Sequence, residues 1–259
     1  MNIMEMENVC YVLNERPILD QINWTIKQGE NWALLGANGS GKTTLLKLLT
    51  AYEWVTTGRI QVLGKTYGNC HVGVHRKQLG WVSASLQRQL PQNDKAKVVV
   101  ASGFEASFGW YGKWNDDIEQ ASRLAMARLN IEELAEQSYT SLSQGEQKRV
   151  QIARSIVHEP RLLILDEPCE GLDPVNRVLL LEDLTHYSEL ENTPSIIYVT
   201  HHIDEIRPWM HFTHLLKGGK TLQQDKSQQL MTSEYMKDTF GKACRINQVN
   251  GRYRLTIES

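Results

Sequence analysis

The chain has 259 residues, 41% of them hydrophobic and 22% charged, with a formal net charge of −2. That length can bury a sizeable core without disulfides or metal staples. The near-neutral balance offers no global attraction to nucleic acid or to an anionic membrane, so no direct nucleic-acid partner is expected. The four cysteines, Cys10, Cys70, Cys169 and Cys244, are far apart and form no CxxC pair. This argues against a zinc cluster or a disulfide framework and fits a reducing, cytoplasmic compartment.

The start carries Glu5 and Glu7 and does not read as a signal peptide. No run approaches the roughly 18 apolar residues needed to cross a bilayer. A role at a membrane would therefore be exercised from the aqueous side, through a partner.

Ile22, Trp24 and Ile26 alternate with polar residues, the period of a half-buried strand. Gly29-Glu30 reads as a turn, and Trp32-Ala33-Leu34-Leu35 as a buried parallel strand. A glycine-rich loop follows, and the chain continues as a helix through Leu49. From residue 87 to about 158 the texture changes. A polar stretch leads into an aromatic, glycine-bearing segment, Phe104 to Trp114, and then Ile118, Ala121, Leu124, Ala125 and Leu129 fall at helical spacing. This predicts a helical subdomain inserted into an α/β core made of residues 1–86 and 159–259, all within a single domain. Leu162–Leu165 and Ser195–Thr200 read as further buried strands, with helices at Pro174–Leu190 and around Ile203–Met210. Alternating strands and helices imply a mainly parallel sheet flanked by helices, behind an antiparallel N-terminal part. The tail, Thr213 to Ser259, reads as short strands, with Gly218-Gly219 and Asn250-Gly251 as turns.

The glycine-rich loop is Gly36-Ala37-Asn38-Gly39-Ser40-Gly41-Lys42-Thr43, followed by Thr44, a full match to GxxxxGK[ST] between a strand and a helix. Glycines let backbone N–H groups turn inward on phosphate oxygens, and the helix start adds its positive dipole end. Lys42 can reach β- and γ-phosphates, and the Thr43 hydroxyl can ligate Mg²⁺. This motif does not by itself separate ATPases, GTPases and small-molecule kinases. Downstream, Leu162-Leu163-Ile164-Leu165 ends in Asp166-Glu167-Pro168. Carboxylates at the end of such a strand sit where α/β sheets gather ligands. Strand alternation would let Asp166 serve the metal while Glu167 faces an attacking water. Leu142-Ser143-Gln144-Gly145-Glu146-Gln147 reads as a capping box, Ser143 capping a helix and Glu146 reaching back.

In this order the chain resembles the ATP-binding-cassette ATPases over nearly its whole length. The phosphate loop is followed by an LSxGE form of the signature, then Leu-Leu-Ile-Leu-Asp-Glu-Pro, then Gly171-Leu172-Asp173 as the D-loop and Val199-Thr200-His201 as the switch histidine. The resemblance implies an α/β P-loop NTPase core, ATP with Mg²⁺ as cofactors, and head-to-tail pairing with a second such domain, most simply a second copy of the chain. Each ATP would then lie between one chain's phosphate loop and the other's signature. On that likeness Ser143 and Gly145 contact the other subunit's ATP, Asp173 acts across the pair, Tyr11 stacks on adenine and His201 holds the γ-phosphate with the attacking water. Glu167, His201 and Lys42 would carry the catalysis.

Two motifs depart from the family pattern. The signature has Gln144 for its first glycine and Glu146 for its closing glutamine; Glu146 is compatible with a nearby phosphate if it turns back to cap the helix. The glutamine expected after Leu79-Gly80-Trp81-Val82-Ser83 is Ala84, with Gln87 as the candidate replacement at the metal. Trp81 to Leu86 is similar to a molybdate-type subgroup, although so short a match names no cargo. The function implied is the ATPase subunit of a transporter with a separate transmembrane permease, on the cytoplasmic face of the membrane. The alternative is a soluble ATPase remodelling a protein or nucleic-acid partner.

Overall fold

The computed structural model describes residues 1–84, 90, 91, 93–249 and 251–258. In chain order its strands and α-helices are β1 (Asn2–Leu13), β2 (Arg16–Lys27), β3 (Trp32–Leu35), α1 (Lys42–Leu49), β4 (Thr57–Val62), β5 (Lys65–Thr66), α2 (Val72–Arg76) and β6 (Leu79–Val82). Next come α3 (Ala96–Ala101), α4 (Asp116–Ala127), α5 (Gln144–Ile156), β7 (Leu162–Asp166), α6 (Pro174–Glu189) and β8 (Ser195–Thr200). The chain ends with β9 (Phe212–Lys217), β10 (Lys220–Lys226), α7 (Ser227–Leu230), α8 (Ser233–Phe240), β11 (Cys244–Val249) and β12 (Arg252–Ile257). These elements form two compact units, one of Met1–Val72 with Ser195–Ser259, the other of Gly73–Pro194.

In the first unit, β1 pairs antiparallel with β2 and with β4. Ile22, Trp24 and Ile26 of β2 are all buried, as the alternation predicts. β3 runs parallel to β8 and to β9, with Trp32 opposite Ile197 on one side and Phe212 on the other. Every residue of β3 and β8 is buried, the signature of parallel strands covered on both faces. The ends of these two strands carry the functional motifs of this unit.

In the second unit, β6 runs parallel to β7, with Leu79 opposite Leu162. A Cβ on Gly80 would lie 2.5 Å from the Ser155 carbonyl oxygen, so glycine lets α5 approach β6 closely. α5 buries Val150, Ile152, Ala153 and Ile156, and Arg149 pairs with Asp183 of α6 at 2.5 Å. The aromatic segment is tied down by polar contacts: the Trp114 indole N–H donates to Glu119, which also binds Lys97 and Arg123.

Two expectations are corrected. Around Ile203–Met210 there is only a 3₁₀ turn at Ile203–Glu205; Ile206 is extended, and Pro208 disfavours helical geometry at Arg207. The tail is not all strand, because α7 and α8 precede the final hairpin. α8 is capped by the Thr232 side chain and ended by Gly241 at φ 73°, but only Met236 and Thr239 are buried on it. So short an apolar stripe gives no readable period. Gly218 and Gly219 do join β9 to β10 at positive φ, and Gly251 at φ 74° lies in the last hairpin, whereas Asn250 is outside the described residues.

Candidate functional site

The phosphate loop leaves β3 and enters α1 through Gly41, which stands at φ 105° as the residue capping the helix. Gly39 also lies at positive φ, 76°. Such conformations are open to glycine and strained for other residues, which is why the loop can fold so tightly. A Cβ on Gly36 would come within 2.4 Å of the Leu216 carbonyl oxygen, and one on Gly41 within 2.8 Å of Leu19. The Gly218-Gly219 turn buttresses the loop from behind: the Gly219 N–H donates to the Ser40 carbonyl at 2.9 Å, while its own carbonyl accepts from the Asp20 N–H at 2.9 Å. The sequence showed that glycine pair only as a hairpin signal.

Lys42 is 5% exposed, and its ammonium donates to the carbonyls of Gly36 at 2.9 Å and Ala37 at 3.3 Å. The lysine is thus folded back over its own loop with its charge held at the loop's concave side. Ser40 Oγ is buried without a hydrogen-bond partner among the described residues. An orphaned hydroxyl inside a glycine cradle at a helix start suits the oxygens of a phosphate. Ala37 and Thr44 are half-buried, while Asn38 and Thr43 are exposed. Tyr11 lies in β1 with its ring 9% exposed, and its hydroxyl donates to Glu53 at 3.2 Å.

At the end of β8, Thr200 is held by a carboxylate that the sequence does not single out. Buried Glu205 accepts from the Thr200 hydroxyl at 2.6 Å and from the Tyr198 hydroxyl at 3.0 Å. Thr200 Oγ1 in turn accepts the His202 N–H at 2.9 Å. The rings of His201 and His202 lie 4.0 Å apart. A glutamate five residues after a strand end looks like any solvated turn residue; only its 2% exposure reveals the anchor.

The second unit carries the acidic pair and the signature. β7 ends at Asp166, and Glu167 stands at φ 49°. Its direction is therefore set by a left-handed backbone, not by strand alternation as the sequence suggested. Such a residue typically costs about 1–3 kcal/mol and persists where the surroundings hold it. Ser143 and Glu146 form the capping box: Glu146 accepts the Ser143 N–H at 2.7 Å, and Ser143 Oγ accepts the Glu146 N–H at 3.4 Å. The Glu146 charge is thereby turned onto the helix start.

Asp173 caps α6, accepting the N–H groups of Val175 at 2.9 Å and Asn176 at 3.0 Å, and the Asn176 amide donates to its other oxygen at 2.5 Å. These bonds, the Asn176 amide foremost, hold the Asp173 carboxyl below its ordinary pKa. Asn176 also lies flat against the signature: a Cβ on Gly145 would be 2.4 Å from its Oδ1. One asparagine thus touches both signature and D-loop, a link no spacing reveals. Ala84 is exposed just beyond β6, and Gln87 lies outside the described residues.

A family model described as ABC transporter matches residues 19–170. The chain belongs to the ABC transporter family. It is 39% identical to the uncharacterized ABC transporter ATP-binding protein YlmA of Bacillus subtilis, over 92% of this chain and 90% of that protein. It is 33% identical to the ABC transporter ATP-binding protein ModF of Escherichia coli, over 77% of this chain and 41% of the other. Among solved structures, cbiO1 from Clostridium perfringens, part of the ABC transporter complex cbiONQ, superimposes with a TM-score of 0.80 at 28% identity, covering 91% of this chain and 92% of that one. The chain is therefore an ATP-binding and ATP-hydrolysing subunit of the ABC type with a P-loop NTPase fold, and the transporter reading stands over the soluble remodelling one.

Proposed function

We propose that two copies of this chain close head to tail around ATP and drive a separate transmembrane permease from the cytoplasmic face of the membrane. The observation that carries the ATP site is the loop itself, a glycine cradle with a buried lysine and an orphaned hydroxyl at a helix start. In this reading the loop N–H groups, Lys42 and the start of α1 bind the β- and γ-phosphates and stabilise charge developing there. Tyr11 is the candidate to stack on the adenine, which requires its ring, in a residue only 9% exposed, to turn outward. Thr43 and Asp166 would hold Mg²⁺ on this chain, with Gln87 as the candidate third. Hydroxyl and carboxylate oxygens are the hard donors that magnesium prefers, and the described residues hold no cluster of three His, Cys, Asp or Glu that would suit a softer metal. Bound Mg²⁺ supplies charge neutralisation between the phosphates.

Glu167 orients the attacking water and takes its proton as the water oxygen bonds to the γ-phosphorus and the bond to the β–γ bridging oxygen breaks. His201, braced through Thr200 and Glu205, holds the γ-phosphate. Ser143 and Gly145 of the partner subunit close over the same phosphate, and Asp173 of the partner subunit helps to complete the site. ATP bridges the two copies through its γ-phosphate; ADP lacks that group, so hydrolysis releases the pair. That difference in contact is the power stroke.

The test is Glu167→Gln. The variant should bind ATP normally, hydrolyse it at least about a hundredfold more slowly, and run as a dimer in size-exclusion chromatography with ATP but not with ADP. Parent-like turnover in that variant would remove Glu167 from its role, and a monomer under ATP would remove the paired site.

A further inference from the structure

Beyond the phosphate loop, the first unit contains a groove of about 560 Å³. His201, His202 and Asp204 line one side, and β12 of the C-terminal hairpin lines the other through Arg254, Leu255 and Ile257. No residue of the phosphate loop borders it. Its volume falls in the range of sites that take small organic molecules, about 300–1,000 Å³.

The lining has a definite chemistry. Phe240 and Leu255 are half-buried and Ile203 is buried, while Ile257 is 61% exposed, a large apolar side chain at the hairpin's end with nothing covering most of it. Such a surface favours an apolar body. Lys242 and Arg254 are both exposed on the groove, and neither forms an ion pair among the described residues, whereas Arg245 on the same hairpin is matched by Glu258 at 3.4 Å. Asp204 is the one carboxylate in the lining. With two cations and one carboxylate in its lining, the groove keeps an excess positive charge against low-dielectric walls, which concentrates its field on an anion.

We propose that this groove is a second ligand site, for a small organic anion carrying an apolar portion, and that its occupant acts on the switch histidine. The coupling has a physical route. The Ile203–Glu205 turn, which starts two residues after His201, is pinned by the buried bonds of Glu205 to Tyr198 and Thr200, so a ligand in the groove sits between this fixed turn and the His201 side chain that also lines it. An occupant that restrains the histidine slows turnover without competing for the phosphate loop. The binding site stands on the groove alone; the effect on turnover rests on the role proposed for His201.

The probe is 8-anilinonaphthalene-1-sulfonate, an aromatic body bearing one anionic group, titrated by fluorescence into the full chain saturated with ADP. Saturable binding at one site per chain is expected, weakened tenfold or more in the Lys242→Glu/Arg254→Glu double variant, and ATP hydrolysis by the parent should fall as the site fills. Circular dichroism and ADP affinity check that the double variant, altered only at exposed positions, is folded. Equal probe affinity in parent and double variant overturns the site, as does competitive displacement of the probe by ADP. Probe bound at the groove with turnover unchanged overturns the coupling while leaving the site. Parent-like hydrolysis by His201→Ala removes instead the catalytic reading on which the coupling rests.

Discussion

Glu205 offers the sharpest test of how this site is held together. Its carboxylate is the acceptor for two buried hydroxyls, those of Tyr198 and Thr200, at 3.0 and 2.6 Å. Replacing it by alanine leaves both hydroxyls without that acceptor inside the core. A stranded buried polar group costs about 1–3 kcal/mol, so two of them, allowing for partial relaxation, should cost about 3 kcal/mol. For a chain of this size each kcal/mol moves the Tm by about 2–4 °C, giving a fall of roughly 6–12 °C. Glu205→Gln keeps an acceptor oxygen but weakens two charge-assisted bonds, for a loss of about 1 kcal/mol. If that weakening appears in the positioning of His201, turnover at saturating ATP should fall about fivefold. Differential scanning calorimetry and steady-state ATP hydrolysis on parent, Gln and Ala variants measure all of this. The reasoning is refuted if Glu205→Ala stays within about 0.5 kcal/mol of the parent, or if Gln is as damaging as Ala.

His214 gives a pH signature. Buried beside Trp24, with ring centroids 4.7 Å apart, it has its pKa pushed down to about 3 by loss of solvent. The unfolded chain takes up this proton below its ordinary value of 6.5 and the folded chain does not. The contribution of His214 is therefore fully present above that value and is lost as pH falls from 6.5 towards 3, by up to about 1.4 kcal/mol per unit. Urea denaturation between pH 7 and 5 should show a drop of about 2 kcal/mol that is absent from His214→Gln. For Gly145→Ala, the added Cβ must displace Asn176 and so loosen Asp173. A loss of about 1–2 kcal/mol of stability is expected, recovered in the Gly145→Ala/Asn176→Ala double variant, with ATP-driven dimerisation still impaired; no recovery would mean that the clash lies elsewhere. Lys42→Ala should weaken ATP binding by about 1.5–3 kcal/mol, roughly ten- to a hundredfold, in isothermal titration, and parent-like affinity would contradict the geometry of the loop.

Much of this protein can be read directly from its residues, for a physical reason that recurs at each motif. Gly36 to Thr43, Leu162 to Glu167 and Ser195 to His201 are local: short apolar runs bounded by turn signals suit buried strands, and polar groups at the ends of such strands sit where an α/β sheet gathers ligands. The capping box at Ser143 and Glu146 is likewise closed within four residues. What sequence could not supply depends on neighbours far along the chain. Gly41 and Gly36 are tight because Leu19 and Leu216 lie against them, the loop rests on Gly219 nearly 180 residues away, and Glu205 matters only because folding strips it of water. The turn after His201, read as a helix, is broken at Pro208, and α8 buries too few residues to show a period. Local chemistry announces that a phosphate is held; tertiary packing decides how firmly the lysine, the histidine and the signature glycine are fixed in place to act on it.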